Sequence, residues 1–246
     1  MLIIFELTHN CPCSCPFCTI KNPESRTLSL GEYVKILKLF SQLYKKLYII
    51  LSGGEPSLIE NLNEYVEVGK KFGTITVVTN AYNLKTLMKC KPDAFQLSID
   101  YFGEKHDEVR GVRGLFENCK KLIEYAKSQD IQAIIRTTIM KDNIDDIILL
   151  REYFNDLPIL GMVVKGCKKL KPNDEDVKRL EKLGVLISHH CIAGRKLLVI
   201  TPELEVLPCF LYRRVLGRIE RFTLEELQAI IEEGLKVLPY ACENEL

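Results

Sequence analysis

The sequence predicts an α/β fold on a parallel sheet, and three observations carry that prediction. Short β-rich runs alternate with longer helical ones from residue 2 to residue 190. Leu47-Tyr-Ile-Ile-Leu51 is apolar without alternation, as a strand covered on both faces is. Six strand–helix repeats follow one another, and parallel neighbours need crossovers that helices supply. Six units fall short of a closed eight-fold barrel. At 246 residues the chain allows one large domain, or one domain with a small appendix.

Residues 2–7 read as the first strand, followed by a cysteine-rich loop. Residues 30–44 carry Tyr33, Ile36, Leu37, Phe40, Leu43 and Tyr44 in steps of three and four, one face of a helix. Strand 47–51, helix 61–72, strand 75–79, helix 84–90 and strand 94–99 come next. Helix 115–128, strand 131–140 and a helix over 144–154, capped by Asn143 or Asp142, follow. Strand 160–165 and a last helix over 174–190 complete the series. Ligands of such sheets sit at the carboxyl ends of the strands, so unusual residues there are candidates for chemistry.

Net charge is +1, so nothing global indicates nucleic acid. No apolar run is long enough to span a membrane. Ten cysteines without a secretory signal point to a reducing compartment, the cytoplasm, with thiols used for metal.

Four of those cysteines fall in Cys11-Pro-Cys-Ser-Cys-Pro-Phe-Cys18. Thiolates this close in sequence can converge on one metal centre. Cys11, Cys15 and Cys18 make the spacing C-x3-C-x2-C, which suits an iron–sulfur cluster. Zinc is the alternative, although its structural sites usually add a second close pair or histidines. A disulfide scaffold suits short secreted chains. Cys13 fits none of the three positions and is expected to face away.

The second strand ends in Ser52-Gly-Gly-Glu-Pro56. Its glycines permit close backbone approach to a ligand, and Glu55 can accept from an ammonium group; a tight strand-to-helix turn is the alternative. The third strand ends in Thr79-Asn80-Ala81 and the fourth in Ser98-Ile-Asp100. Residues two apart on a strand share a face, so Ser98 and Asp100 are expected to suit sugar hydroxyls together. Arg136 lies inside an apolar strand and needs a partner if buried.

In this order, the C-x3-C-x2-C loop with Phe17, Gly53-Gly54-Glu55-Pro56, Thr79-Asn80, Ser98 and the stretch His106–Gly111 resemble the radical S-adenosylmethionine (SAM) superfamily. The resemblance covers residues 2–190 and implies an open (β/α)6 partial TIM barrel. It implies that Cys11, Cys15 and Cys18 hold a [4Fe–4S] cluster whose fourth iron binds SAM. It places Gly53, Gly54 and Glu55 at the SAM amino group, with Thr79 and Asn80 in the same pocket. Ser98 falls at the ribose, and Asp100 at SAM or substrate. Arg136 is either a partner of the SAM carboxylate or part of an internal ion pair.

From Cys191 the pattern changes to two short strands around a turn, 197–202 and 205–209. A helix over 224–237 follows, opened by Thr223 and Glu226 as a capping box. Residues 191–246 resemble the SPASM extension, or its shorter twitch form, a β-hairpin and helix that hold an auxiliary iron–sulfur cluster. Cys191, Cys209 and Cys242 supply three thiolates for it, leaving an open iron or a fourth ligand. Cys167 is the reserve, and His189 and His190 are weaker ones. Three ordinary buried cysteines, or a zinc knob, are the plainer readings.

The resemblance implies an enzyme that reductively cleaves SAM to a 5′-deoxyadenosyl radical and abstracts hydrogen from a substrate. A reductant such as ferredoxin or flavodoxin is implied as partner. The substrate class expected is a peptide or protein undergoing oxidative maturation, with a small-molecule oxidoreductase or cyclase as the alternative. An electron carrier with two clusters and a glycyl-radical activase are further alternatives. No separate leader-peptide-binding domain is expected ahead of the first strand. Lys165, Lys168, Lys169, Arg213, Arg214 and Arg218 suit either an anionic substrate or a solvated face.

Overall fold

The computed structural model describes residues 1–20, 26–165, 167–188, 190–237 and 239. Seven strands run parallel in sequence order: β1 (Leu2–Thr8), β2 (Leu47–Gly53), β3 (Gly73–Thr79), β4 (Ala94–Ser98), β5 (Gln132–Ile139), β6 (Ile159–Val163) and β7 (Val185–Ile187). The helices are α1 (Leu30–Leu43), α2 (Leu62–Lys70), α3 (Leu84–Leu87), α4 (Glu104–Arg110), α5 (Leu115–Ser128), α6 (Ile144–Tyr153), α7 (Asp174–Lys182) and α8 (Leu224–Leu235). Beyond β1 the sheet continues through β8 (Leu197–Ile200), β9 (Glu205–Leu207) and β10 (Gly217–Arg218), giving the order β10-β9-β8-β1-β2-β3-β4-β5-β6-β7. Its edges, β10 and β7, do not pair with each other, so this is an open barrel. No helix among the described residues is long and apolar enough to cross a membrane.

Local chemistry sets these elements. Ser29 and Glu32 form a reciprocal capping box at the start of α1. The buried face of α1 is Tyr33, Ile36, Leu37, Leu39 and Phe40. Tyr33 meets Phe5 of β1 edge to face at 4.7 Å. Fully burying one such apolar side chain stabilises by about 1.5–3 kcal/mol, and this face seats α1 on the sheet.

Several expectations are corrected. Residues 174–190 are not one helix: α7 stops at Lys182, Gly184 turns the chain at φ +86, and Val185–Ile187 adds β7 to β6. The stretch 106–111 forms most of α4 and its C-cap, closed by Gly111 in the left-handed region. Asn143 stands at the start of α6, yet its amide is used elsewhere. It accepts from the Met140 N–H and donates to the carbonyls of Asp100 and Thr138. Thr223 caps α8, but the Glu226 carboxylate takes the amides of Glu220, Arg221 and Phe222 instead of closing the box. The hairpin β8–β9 forms as expected, while β8 also pairs in parallel with β1 from Leu2↔Leu197 to Phe5↔Ile200.

Candidate functional site

The cysteine loop leaves β1 and is held from two sides by backbone. On one side the Gly54 N–H donates to the Thr8 carbonyl at 2.6 Å, and the Glu55 N–H to the Asn10 carbonyl at 2.9 Å. A Cβ at Gly53 would lie 2.1 Å from the Thr8 oxygen, and one at Gly54 would lie 2.2 Å from that of Asn10. The paired glycines therefore let this loop approach, as well as any ligand. On the other side the Ser14 N–H donates to the Arg110 carbonyl at 2.9 Å. A Cβ on Gly111 would meet Ser14 Oγ at 2.5 Å. The stretch 106–111, given no chemistry from sequence, is thus a clamp on the cysteine loop.

Cys11, Cys15 and Cys18 line a cavity of about 860 Å³ at the carboxyl ends of the strands. Cys13 does not line it, but neither does it face away. Its thiol hydrogen-bonds to Cys11 and Cys15, and Asn80 Nδ2 donates to its sulfur at 3.2 Å. The Cys13 hydrogen bond is the main cause that lowers the Cys11 pKa and brings Cys15 to about 7, where burial opposes and Arg110 assists. The same hydrogen bonds hold the Cys13 pKa up, and burial raises that of Cys18. Thiolate character at Cys11 and Cys15 is what ligation requires. Among the described residues, no three His, Cys, Asp or Glu side chains converge as on one metal ion.

Glu55 is buried and its carboxylate is occupied. Oε1 accepts from the Ser57 N–H (2.9 Å) and Thr79 Oγ1 (2.6 Å), and Oε2 from the Asn80 N–H (2.8 Å). Burial pushes its pKa up against these hydrogen bonds. Glu55, Thr79 and Asn80 therefore weld the end of β2 to the end of β3, and all three line the cavity. Asn80 also reaches Cys11 Sγ at 3.6 Å. Ala81 follows in the left-handed region, at φ +62.

Ser98 and Arg136 line the cavity, and Asp100 does not. β4 ends at Ser98, so the alternation that would have aligned the two stops there. The Asp100 carboxylate instead takes Arg110 Nη2 and the Thr138 N–H, the latter at 2.8 Å. Burial opposes the Arg110 charge, but Asp100 and Cys15 outweigh it and hold its pKa up. No described carboxylate pairs with Arg136. Its Nη2 lies 3.2 Å from Met162 Sδ, and its guanidinium is 5.7 Å from the Phe210 ring centre. Burial draws its pKa down, which makes a carboxylate ligand welcome there.

Cys191 and Cys209 line the same cavity, as does His190. Cys242 and His189 lie outside the described residues. Cys167 packs beside Tyr101, Met140 and Val164 with Phe17, and is not among the residues that line the cavity. Of Lys165, Lys168, Lys169, Arg213, Arg214 and Arg218, Lys165 alone lines the cavity, where Arg110, Arg136 and Lys171 also stand. Lys168, Lys169 and Arg214 are exposed, and Arg218 stands 3.9 Å from Glu205. Arg213 pairs with Glu6 on β1 through both nitrogens, at 2.8 and 3.0 Å, and His9 Nε2 lies 2.8 Å from the same carboxylate. Burial alone would raise the Glu6 pKa, but His9 and Arg213 hold it below the usual range. A carboxylate inside the apolar run 2–7 was a legible signal of such a partner; which residue would supply it was not.

Three kinds of comparison bear on this arrangement. A model of the Radical SAM superfamily matches residues 5–154. Sporulation killing factor maturation protein SkfB of Bacillus subtilis is 24% identical over 275 residues, 97% of this chain and 66% of that protein. AdoMet-dependent heme synthase of Oleidesulfovibrio alaskensis is 28% identical over 63% of this chain and 41% of its own. PqqA peptide cyclase of Rhizobium meliloti is 26% identical over 85% of this chain and 67% of its own. Streptococcus suis SuiB bound to S-adenosylmethionine superposes with a TM-score of 0.73 at 18% identity, over 91% of this chain and 64% of SuiB. Native anSMEcpe with bound AdoMet gives 0.70 at 17%, over 96% and 84%. At these identities the structural likeness shows the fold. The chain spans 66% and 41% of the first two curated relatives.

Proposed function

The chain belongs to the radical SAM superfamily, and from that premise we propose that it reductively cleaves SAM and uses the product for oxidative maturation of a peptide or protein. One observation carries the reading: the three cysteines of the C-x3-C-x2-C loop line one cavity with Gly53, Gly54, Glu55, Ser98 and Arg136. The donor set fits a [4Fe–4S] cluster with one iron free of protein. Three sulfurs face the cavity, and Cys13 and Arg110 favour thiolate at two of them, or one of them, respectively. When bound, the cluster supplies the electron that breaks the SAM sulfonium, giving methionine and a 5′-deoxyadenosyl radical that abstracts hydrogen.

The residues supply position. The Gly53–Gly54 turn and Asn80 hold the cysteine loop, and Arg136 would receive the SAM carboxylate. Ser98 Oγ, which hydrogen-bonds to none of the described residues, would meet a ribose hydroxyl. Residues 191–246 would form the twitch-like unit, with Cys191, Cys209 and Cys242 on an auxiliary iron–sulfur cluster. The peptide preference rests on one relative named as a sporulation killing factor maturation protein and another named as a peptide cyclase. A low-potential ferredoxin or flavodoxin would supply electrons in the reducing cytoplasm.

The expected result is 5′-deoxyadenosine release from SAM by anaerobically reconstituted protein with dithionite, and none from a Cys15→Ala variant. Equal release by both, or none by the intact protein with its iron in place, would contradict the proposal.

A further inference from the structure

We propose that residues 209–213 form a strap across the cofactor cavity, with Phe210 and Arg213 as positioning residues that tie the seat of Cys209 to the SAM site. The inference rests on the cofactor reading above and goes beyond it. Cys209, Phe210, Leu211 and Tyr212 line the cavity in succession. The strap leaves β9 at its far end and is tethered twice. Arg213 makes its two hydrogen bonds to Glu6 on β1. Phe210 lies against the guanidinium of Arg136 on β5. Three strands separate β1 from β5 in the sheet, so the two tethers span the cavity.

Each tether has a chemical reason to hold. Glu6 is 3% exposed, and lifting Arg213 away would strip a buried carboxylate of its bidentate partner. Phe210 offers an aromatic face to a cation that no described carboxylate neutralises. The ring also screens Arg136 from water, which strengthens that cation's attraction for a ligand carboxylate. Between the tethers, the Leu211 N–H donates to Cys209 Sγ at 3.5 Å, so the sulfur moves with the strap. Binding at Arg136 and ordering of the strap are then one coupled equilibrium, and the coupling must be reciprocal.

The test uses the full anaerobically reconstituted protein and S-adenosylhomocysteine, which carries the carboxylate and ribose but no sulfonium. Dissociation constants, melting temperatures and hydrogen exchange over 209–213 are measured for wild type, F210L, R213M and E6Q/R213M. The double variant removes both charges, so it leaves no lone buried carboxylate. Wild type is expected to bind and to slow exchange in the strap. R213M and E6Q/R213M are both expected to bind about tenfold more weakly, although the double variant recovers much of the melting temperature lost by the single one. F210L is expected to bind several-fold more weakly, with faster exchange over the strap. Unchanged affinity in the three variants would overturn the strap alone, as would recovery of affinity together with melting temperature in E6Q/R213M. No binding by wild type would overturn the cofactor reading and the strap with it.

Discussion

Replacing Arg110 with methionine is expected to lower the unfolding free energy by about 3–5 kcal/mol, the cost of breaking a buried ion pair from one side. Asp100 and Arg110 are 2% and 7% exposed. Methionine fills much of the same volume but leaves the Asp100 carboxylate with the Thr138 N–H as its remaining donor among the described residues. The damage extends beyond the pair. The Asp100 N–H donates to His106 Nδ1, and its carbonyl accepts from Asn143. One residue thus joins the ends of β4 and β5 to α4 and to the start of α6. Arg110 in turn takes the Ser14 N–H on its carbonyl, so the cysteine loop should loosen with it. Denaturant unfolding of the anaerobic protein measures the loss, and a melting temperature should fall by about 2–4 °C for each kcal/mol. D100N/R110M should be less destabilised than R110M, because it buries no lone charge. A loss below about 1 kcal/mol in R110M would show that the pair is not what holds this corner.

Second in expected size is the contrast among the four clustered cysteines. Alanine at Cys11, Cys15 or Cys18 should reduce iron binding at the loop and abolish SAM cleavage, since each would leave one iron corner of the cluster without its thiolate. Alanine at Cys13 should keep the iron and most of the cleavage, because Cys13 is not among the residues that line the cavity. It should also lower the cluster's reduction potential. The Cys13 S–H sits beside both the Cys11 and Cys15 sulfurs and can donate to one of them at a time, and hydrogen bonds to sulfur are among the factors that set such potentials. An anaerobic redox titration reads the shift. Loss of iron in Cys13→Ala comparable to that in Cys15→Ala would make Cys13 a ligand and break the C-x3-C-x2-C assignment.

Much of this site was legible because its parts are local. The cysteine loop and the Gly-Gly-Glu-Pro turn are contiguous motifs, and α5 begins and ends at the residues its periodicity predicts. What was hidden depends on where strands stop or on partners far along the chain. Val185–Ile187 continues an apolar spacing that a helix would also satisfy, and only Gly184 marks the break before β7. Asp100 shares the parity of Ser98, but the strand ends between them and its side chain turns to Arg110. Arg213 reads as one more surface charge until the fold brings it to Glu6, 207 residues away in sequence. The third cysteine proposed for the auxiliary centre, Cys242, lies outside the described residues.

The most direct test is iron and sulfide per chain after anaerobic reconstitution. Wild type is compared with Cys11/Cys15/Cys18→Ala and with Cys191/Cys209/Cys242→Ala. The account predicts about eight irons in wild type and about four in each triple variant, as two separate [4Fe–4S] clusters require. About four irons in wild type, unchanged by the second triple substitution, would remove the auxiliary cluster. Zinc in place of iron at the first site would contradict the radical reading itself.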